Sequence, residues 1–157
     1  MSRVQLALNV ADLDQAVAFY TKLFGVEPAK LRPGYANFAV VEPPLKLVLI
    51  EGAGVPGSLN HLGVEVETTE LVADAQRRLA NEGLATSVED QVSCCYAVQD
   101  KVWVDDPNGA PWEIYTVLGD AEMADGELRP VSESGAACCA ARPDLASTAA
   151  DAASACC

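Results

Sequence analysis

The sequence predicts an α+β fold built from a β-α-β-β-β unit used twice, and three observations carry that reading. Apolar runs of strand length alternate with two amphipathic stretches of helix length. The same order of elements recurs from residue 59. Half of the 157 residues (50%) are hydrophobic, enough to supply a core for one domain of this kind.

The first unit opens with "VQLALNV", an alternating strand, and passes through Asp12 as N-cap into a helix. Leu13, Ala16, Val17, Tyr20 and Leu23 fall on one side of that helix, and Gly25 stops it. A short strand is expected near residues 26–31, followed by "NFAVVEPPLKLVLIE", two strands joined by a Pro-Pro turn. The second unit repeats the pattern. "LNHLGVEVETTELVADAQRRLANEGL" gives strand and helix, and "YAVQDKVWVDDPNGAPWEIYTV" gives two strands around an Asp-Pro-Asn-Gly turn. Aligning the copies sets Gln5 against His61, Glu42-Pro43 against Asp106-Pro107, and Lys46 against Glu113. Much of the extra length of the second copy falls between its helix and third strand, where Cys94-Cys95 sits.

These boundaries give a domain over residues 1–118, with modules of about 1–54 and 58–118. Residues 119–157 change texture to Ala, Ser and Asp with few large apolar side chains. Such a stretch buries too little to offset its ordering entropy, so a flexible Ala/Ser/Cys-containing tail is expected.

Ten Lys and Arg against 23 Asp and Glu leave a formal charge of -13, which excludes nucleic-acid phosphates and anionic membranes as partners. The segment "MSRVQLALNVADLD" lacks a basic stretch followed by an apolar run, and no stretch approaches about 18 uninterrupted apolar residues, so a cytoplasmic location is expected. All six cysteines fall in three adjacent pairs, where shuffling would give roughly 0.2 pairs. In a reducing cytosol cysteines serve as ligands or nucleophiles, and joining chain neighbours would close a strained ring, so the pairs read as free dithiols.

His61 is the only histidine and opens a strand, while Glu113 lies mid-strand between Trp112 and Ile114, where an unpaired carboxylate would be costly. The twofold β-α-β-β-β unit, "NHLGVEV" and the ending "DPNGAPWEIY" together resemble the vicinal oxygen chelate superfamily of glyoxalases, extradiol dioxygenases and fosfomycin-resistance enzymes. The resemblance covers residues 1 to about 118. It implies a half-open barrel around a divalent metal, with ligands from first and last strands of the modules: here Gln5, His61 and Glu113 as the metal set. Gln5 departs from the two-histidine, one-carboxylate arrangement of non-haem Fe(II) oxygenases. Lys46, at the fourth position, cannot ligate while protonated. Ala7 and Gly63, two residues after Gln5 and His61, share the ligand face and leave room above it. Tyr115 shares that face with Glu113, as a neighbour of the ligands or as a core residue.

Two adjacent thiols suit a soft target that takes two sulfurs, with Zn, Cu(I), Cd, Hg and trivalent arsenic as candidates, of which Zn would want four ligands in spaced pairs. A monosubstituted trivalent arsenical has two exchangeable positions, so Cys94 and Cys95 would saturate it and fix the direction of its C–As bond. Here the resemblance narrows to the organoarsenical C–As lyases grouped with cadmium-induced proteins, on "VSCCYAVQDKVWV" followed by "DPNGAPWEIYTVLGD". That branch implies Fe(II)- and dioxygen-dependent cleavage of trivalent methyl or aromatic arsenicals to arsenite. Substrate would bind Cys94 and Cys95 on a movable loop that delivers it to the metal, with Fe(II) as cofactor and dioxygen as co-substrate. Two alternatives stand beside it: sequestration of arsenicals or Cd(II) without turnover, and a glyoxalase- or fosfomycin-type metalloenzyme. Cys138, Cys139, Cys156 and Cys157 are left with either arsenical capture or no role, and both a monomer and a homodimer stay open.

Overall fold

A computed structural model describes residues 2–121. Its first strand, β1 (Arg3–Val10), leads through the Asp12 cap into α1 (Leu13–Phe24), followed by β2 (Lys30–Arg32), β3 (Tyr35–Val40) and β4 (Leu45–Glu51). The second unit runs β5 (Leu59–Glu65), α2 (Thr69–Asn81), β6 (Ser87–Cys94), β7 (Ala97–Asp105) and β8 (Pro111–Asp120). The twofold β-α-β-β-β order read from the sequence is the order of the molecule. The tail after Ala121, with its four cysteines, lies outside the described residues.

One eight-stranded sheet contains both units in the order β2-β3-β4-β1-β5-β8-β7-β6. The two halves mirror each other about the antiparallel β1–β5 pair, and each half contains one parallel pair, β1–β4 and β5–β8. α1 packs on β3 and β4, and α2 packs on β7 and β8. The sheet curls into a half-barrel, with the helices outside and a second face turned inward.

Local chemistry sets the helix ends. The Asp12 carboxylate accepts from the Gln15 backbone N–H at 2.9 Å, and Gly25 ends α1 in the left-handed region at φ 68°. Thr68 caps α2 in the same way. Leu13, Ala16, Val17, Tyr20 and Phe24 pack on Phe38, Leu47 and Leu49 to form the outer core of the first unit. Leu23, expected on that face, is 58% exposed. At about 100° per residue Phe24 falls back over Leu13 and Val17, whereas Leu23 sits at the edge of the stripe.

The inner face is a different environment. Ala7, Tyr35, Val48 and Ile50 form a small apolar cluster there, beside buried Gln5, Lys46, His61 and Glu113. Strand pairing sets Ala7 beside Val48 and Gly63 beside Glu113, so Val48, not Lys46, is the counterpart of Glu113 in the first unit. The fourth position of the pseudo-symmetric site is therefore apolar. Among the described residues no helix is long and apolar enough to cross a membrane.

Candidate active site

Gln5, His61 and Glu113 come from three adjacent strands, β1, β5 and β8, and converge on the inner face. The register explains why. Gln5 lies across from Gly63, His61 across from Ala7, and Gly63 in turn beside Glu113, so each small residue faces a long polar one. A Cβ added at Gly63 would stand 3.1 Å from Glu113 Cγ and 3.3 Å from Gln5 Cβ. The glycine is what lets the two side chains meet.

The three side-chain tips form a triangle. Gln5 Nε2 is 3.0 Å from His61 Nε2 and 2.6 Å from Glu113 Oε1, and His61 Nε2 is 3.3 Å from the same oxygen. A metal with bonds of about 2.1 Å near right angles holds neighbouring donors about 3.0 Å apart, so the triangle has the size a divalent ion requires. No trio of His, Cys, Asp and Glu among the described residues could hold a metal. Any centre here thus needs the Gln5 amide as its third donor, through Oε1, which a half-turn of the amide would exchange for Nε2.

The imidazole tautomer follows from a chain of amides that sequence reasoning missed. Ser58 Oγ donates to Val55 O, which leaves its oxygen to accept from Asn9 Nδ2 at 2.8 Å. Asn9 Oδ1 accepts from Asn60 Nδ2 at 2.9 Å, which turns Asn60 Oδ1 toward His61 Nδ1 at 2.7 Å. An amide oxygen only accepts, so the ring proton is on Nδ1 and the Nε2 lone pair faces the triangle. This is the arrangement of metal-ligating histidines, whose second nitrogen donates to an outer partner.

Glu113 is 3% exposed, and its Oε2 lies 3.0 Å from the ammonium of Lys101, itself 1% exposed. Burial pushes the carboxyl up, but the Lys101 charge, the largest of the opposing causes, helps hold Glu113 at about 2. Oε2 is thereby occupied and Oε1 points at the triangle. Behind Gln5, Tyr115 is fully buried, with its hydroxyl between Gln5 Oε1 and Glu65 Oε2. Burial and the nearby carboxylates of Glu65 and Glu113 raise the phenol above its ordinary value, so it stays protonated. Lys46 pairs with Glu65 at 3.1 Å instead of approaching Glu113.

Cys94 and Cys95 do not sit in a free loop. Cys94 ends β6, and Cys95 with Tyr96 forms the two-residue turn into β7, closed by the Cys94–Ala97 pair. Both turn residues are left-handed, φ 54° and 63°, as a type I′ hairpin demands, although neither is the usual Asn or Gly. The extra length of the second copy makes β6 an eight-residue strand where β2 has three. A bulge at Gln91, φ 50°, bends it, and the buried Asp100 holds that bulge by accepting from Gln91 N at 2.8 Å and Thr69 Oγ1 at 2.6 Å. The tip of the bent hairpin reaches the β2–β3 side of the sheet, where the Tyr96 hydroxyl donates to Pro33 O at 3.3 Å. The Tyr96 carbonyl accepts from Lys30 Nζ at 2.8 Å, its ring lies 5.7 Å from that of Tyr35, and Cys95 and Tyr96 pack on the inner Ala7–Tyr35–Val48–Ile50 cluster. The two sulfurs are 3.1 Å apart, too far for a disulfide and close enough for one atom to bridge them.

Known proteins share this architecture and sequence. A trivalent organoarsenical cleaving enzyme of Thermomonospora curvata is 60% identical over 143 residues, 90% of this chain and 91% of that one. The cadmium-induced protein CadI of Mycobacterium tuberculosis is 59% identical over 122 residues, 78% and 80% of the two chains. A homoprotocatechuate 2,3-dioxygenase of Brevibacterium fuscum, 23% identical, superposes with a TM-score of 0.56 over 76% of this chain and 38% of its own, a likeness of fold. Residues 3–114 match the family model of the glyoxalase/bleomycin resistance protein/dioxygenase superfamily. With that match on the paired units that bring Gln5, His61 and Glu113 together, the chain belongs to the glyoxalase/bleomycin resistance protein/dioxygenase superfamily.

Proposed function

We propose that this chain cleaves the carbon–arsenic bond of trivalent organoarsenicals, methylarsenite and aromatic arsenicals among them, and releases arsenite, using Fe(II) and dioxygen. One observation carries the reading: Cys95, whose sulfur lies 3.1 Å from that of Cys94, packs on the inner face that also holds the three-donor triangle. The name of the 60% identical relative supports it.

In this reading Cys94 and Cys95 replace the two hydroxyls of R–As(OH)2, each leaving as water with a thiol proton, and hold arsenic through both sulfurs. Their position at the hairpin turn directs the remaining As–C bond toward the inner face. Gln5, His61 and Glu113 hold the metal, which supplies dioxygen activation when bound. His61 keeps its Nε2 lone pair available because its proton sits on Nδ1, which donates to Asn60 Oδ1, and Lys101 keeps Glu113 ionised. The turn packed on the inner cluster limits water at the reacting centre. A reducing cytoplasm would keep the thiols reduced, and the chain would act as a monomer or a homodimer.

The test is incubation of the Fe(II)-loaded protein with methylarsenite in air, followed by chromatography of arsenic species. Arsenite should form with wild type and fall to background with Cys94→Ser or Glu113→Ala. Quantitative recovery of methylarsenite would favour sequestration and overturn the lyase reading.

A further inference from the structure

We propose that Tyr115 and Glu65 decide which atom of the Gln5 amide faces His61 and Glu113, and so act as the positioning pair of the third ligand; this rests on the metal-centre reading above. The starting point is a proton count. The Tyr115 hydroxyl has one proton and two acceptors in reach, Gln5 Oε1 at 2.5 Å and Glu65 Oε2 at 3.0 Å.

Glu65 can only accept. Its carboxylate is gripped by Arg3 at 3.0 and 3.2 Å and by Lys46 at 3.1 Å. A charged acceptor takes a shared proton ahead of a neutral carbonyl, so the phenolic O–H points at Glu65. That leaves only lone pairs on the Tyr115 oxygen facing Gln5. An amide carbonyl opposite lone pairs repels, whereas an amide N–H opposite them bonds. The favoured pairing therefore turns Nε2 of Gln5 toward Tyr115 and Oε1 toward His61 and Glu113, a half-turn that leaves the side-chain shape unchanged. What opposes it is the Gln5 Nε2 contact with Glu113 Oε1, 2.6 Å long. A cation among the three donors removes that opposition, since Glu113 then has a better partner. The Gln5 amide is thus a two-position group: the Glu65–Tyr115 pair pulls its oxygen inward, and Glu113 pulls its nitrogen inward.

Lys46 has a role in this picture although it is no ligand. It lies 4.9 Å over the Tyr115 ring and fixes the Glu65 oxygen that receives the Tyr115 proton. A His, Cys, Asp or Glu in place of Gln5 presents no choice between an amide oxygen and an amide nitrogen, since either end of those side chains that reaches the site is a possible donor.

The experiment is a Mn(II) titration of the full-length protein, read from the electron paramagnetic resonance signal of the free ion; Mn(II) prefers oxygen and nitrogen donors over thiols. Four proteins are compared: wild type, Tyr115→Phe, Gln5→His and the double variant, with circular dichroism as a check of folding. Tyr115→Phe should raise the Kd about 10- to 100-fold in the wild-type background, and less than about threefold in the Gln5→His background, where no amide needs orienting. Glu65→Gln gives a second reading. Its amide can donate to Tyr115, which returns the phenolic proton to Gln5 Oε1, so the Kd should rise in the same direction and the effect should again vanish with Gln5→His. Equal loss in both backgrounds, or unchanged binding by folded Tyr115→Phe and Glu65→Gln, overturns the inference. Failure of the wild type to bind Mn(II) in a Glu113-dependent way overturns the metal-centre reading instead.

Discussion

Lys101 Nζ stands 3.0 Å from Glu113 Oε2, and the two opposite charges are buried together almost without solvent contact. Removing Lys101 leaves the buried Glu113 carboxylate with only the neutral Gln5 amide and the His61 ring beside it, so Lys101→Met should destabilise the metal-free protein by about 3–5 kcal/mol at pH 7. A urea midpoint equal to wild type would show that the pair carries no such weight.

The same pair sets an acid limb of stability. The Glu113 carboxyl is held at about 2 in the folded protein against an ordinary 4.5. A folded value below the unfolded one means a contribution present above about pH 4.5 and lost as pH falls toward 2. Metal-free wild type should therefore lose stability steadily over that window, and Glu113→Gln should flatten it. Parallel pH profiles for the two proteins would contradict the assignment.

Gly63 supplies the space in which Gln5 and Glu113 approach each other. An alanine there must push on Glu113 Cγ at 3.1 Å or on Gln5 at 3.3 Å, widening the donor triangle. We expect Gly63→Ala to fold, with a cost of about 1–3 kcal/mol from overpacking, yet to weaken Mn(II) binding at least tenfold. Wild-type affinity would mean that the strands shift apart without disturbing the donors.

Asn60 holds the His61 tautomer from behind. Asn60→Ala leaves Nδ1 without its 2.7 Å partner, and losses of about 10- to 100-fold in metal affinity are usual when such a partner goes. A calorimetric Mn(II) titration would read it directly. Asn60→Asp, which still accepts from Nδ1, should recover most of the loss.

Asp100 positions the dithiol without touching it. Its two hydrogen bonds, to Gln91 N and Thr69 Oγ1, hold the bulge that bends β6 toward the β2–β3 side of the sheet. Asp100→Ala should speed amide exchange at Gln91 and weaken binding of phenylarsine oxide, with metal affinity unchanged. Loss of metal binding as well would point to a general loosening of the sheet.

Periodicity and turn chemistry made most of this fold readable in advance. Asp12 and Gly25 marked the ends of α1, and the recurrence from residue 59 located the second unit. Gln5, His61 and Glu113 were legible because a family pattern singled out their strand positions, and because strand alternation puts Gln5 and Ala7, or His61 and Gly63, on one face. What stayed hidden depends on tertiary geometry. The bulge at Gln91 and the left-handed Cys95-Tyr96 turn have no Gly or Asn to announce them, so a hairpin tip read as a loop. Asn9, Ser58 and Asn60 are ordinary polar residues until a fold connects them, and no local signal distinguishes Asp100 from a solvent-facing acid. The alignment of Lys46 with Glu113 failed because pairing register depends on loop lengths that differ between the copies.

The mirrored strand order about β1 and β5 divides labour unevenly between the duplicated halves. The first half contributes the Gln5 amide, the Lys46 ammonium and a wall of aliphatic and aromatic side chains; the second contributes the imidazole, the carboxylate, its ammonium partner and both sulfurs. Saturation mutagenesis scored by survival on methylarsenite should therefore be lopsided: inward positions of β3 and β4 should accept exchanges that keep volume, and those of β5, β7 and β8 should accept almost none.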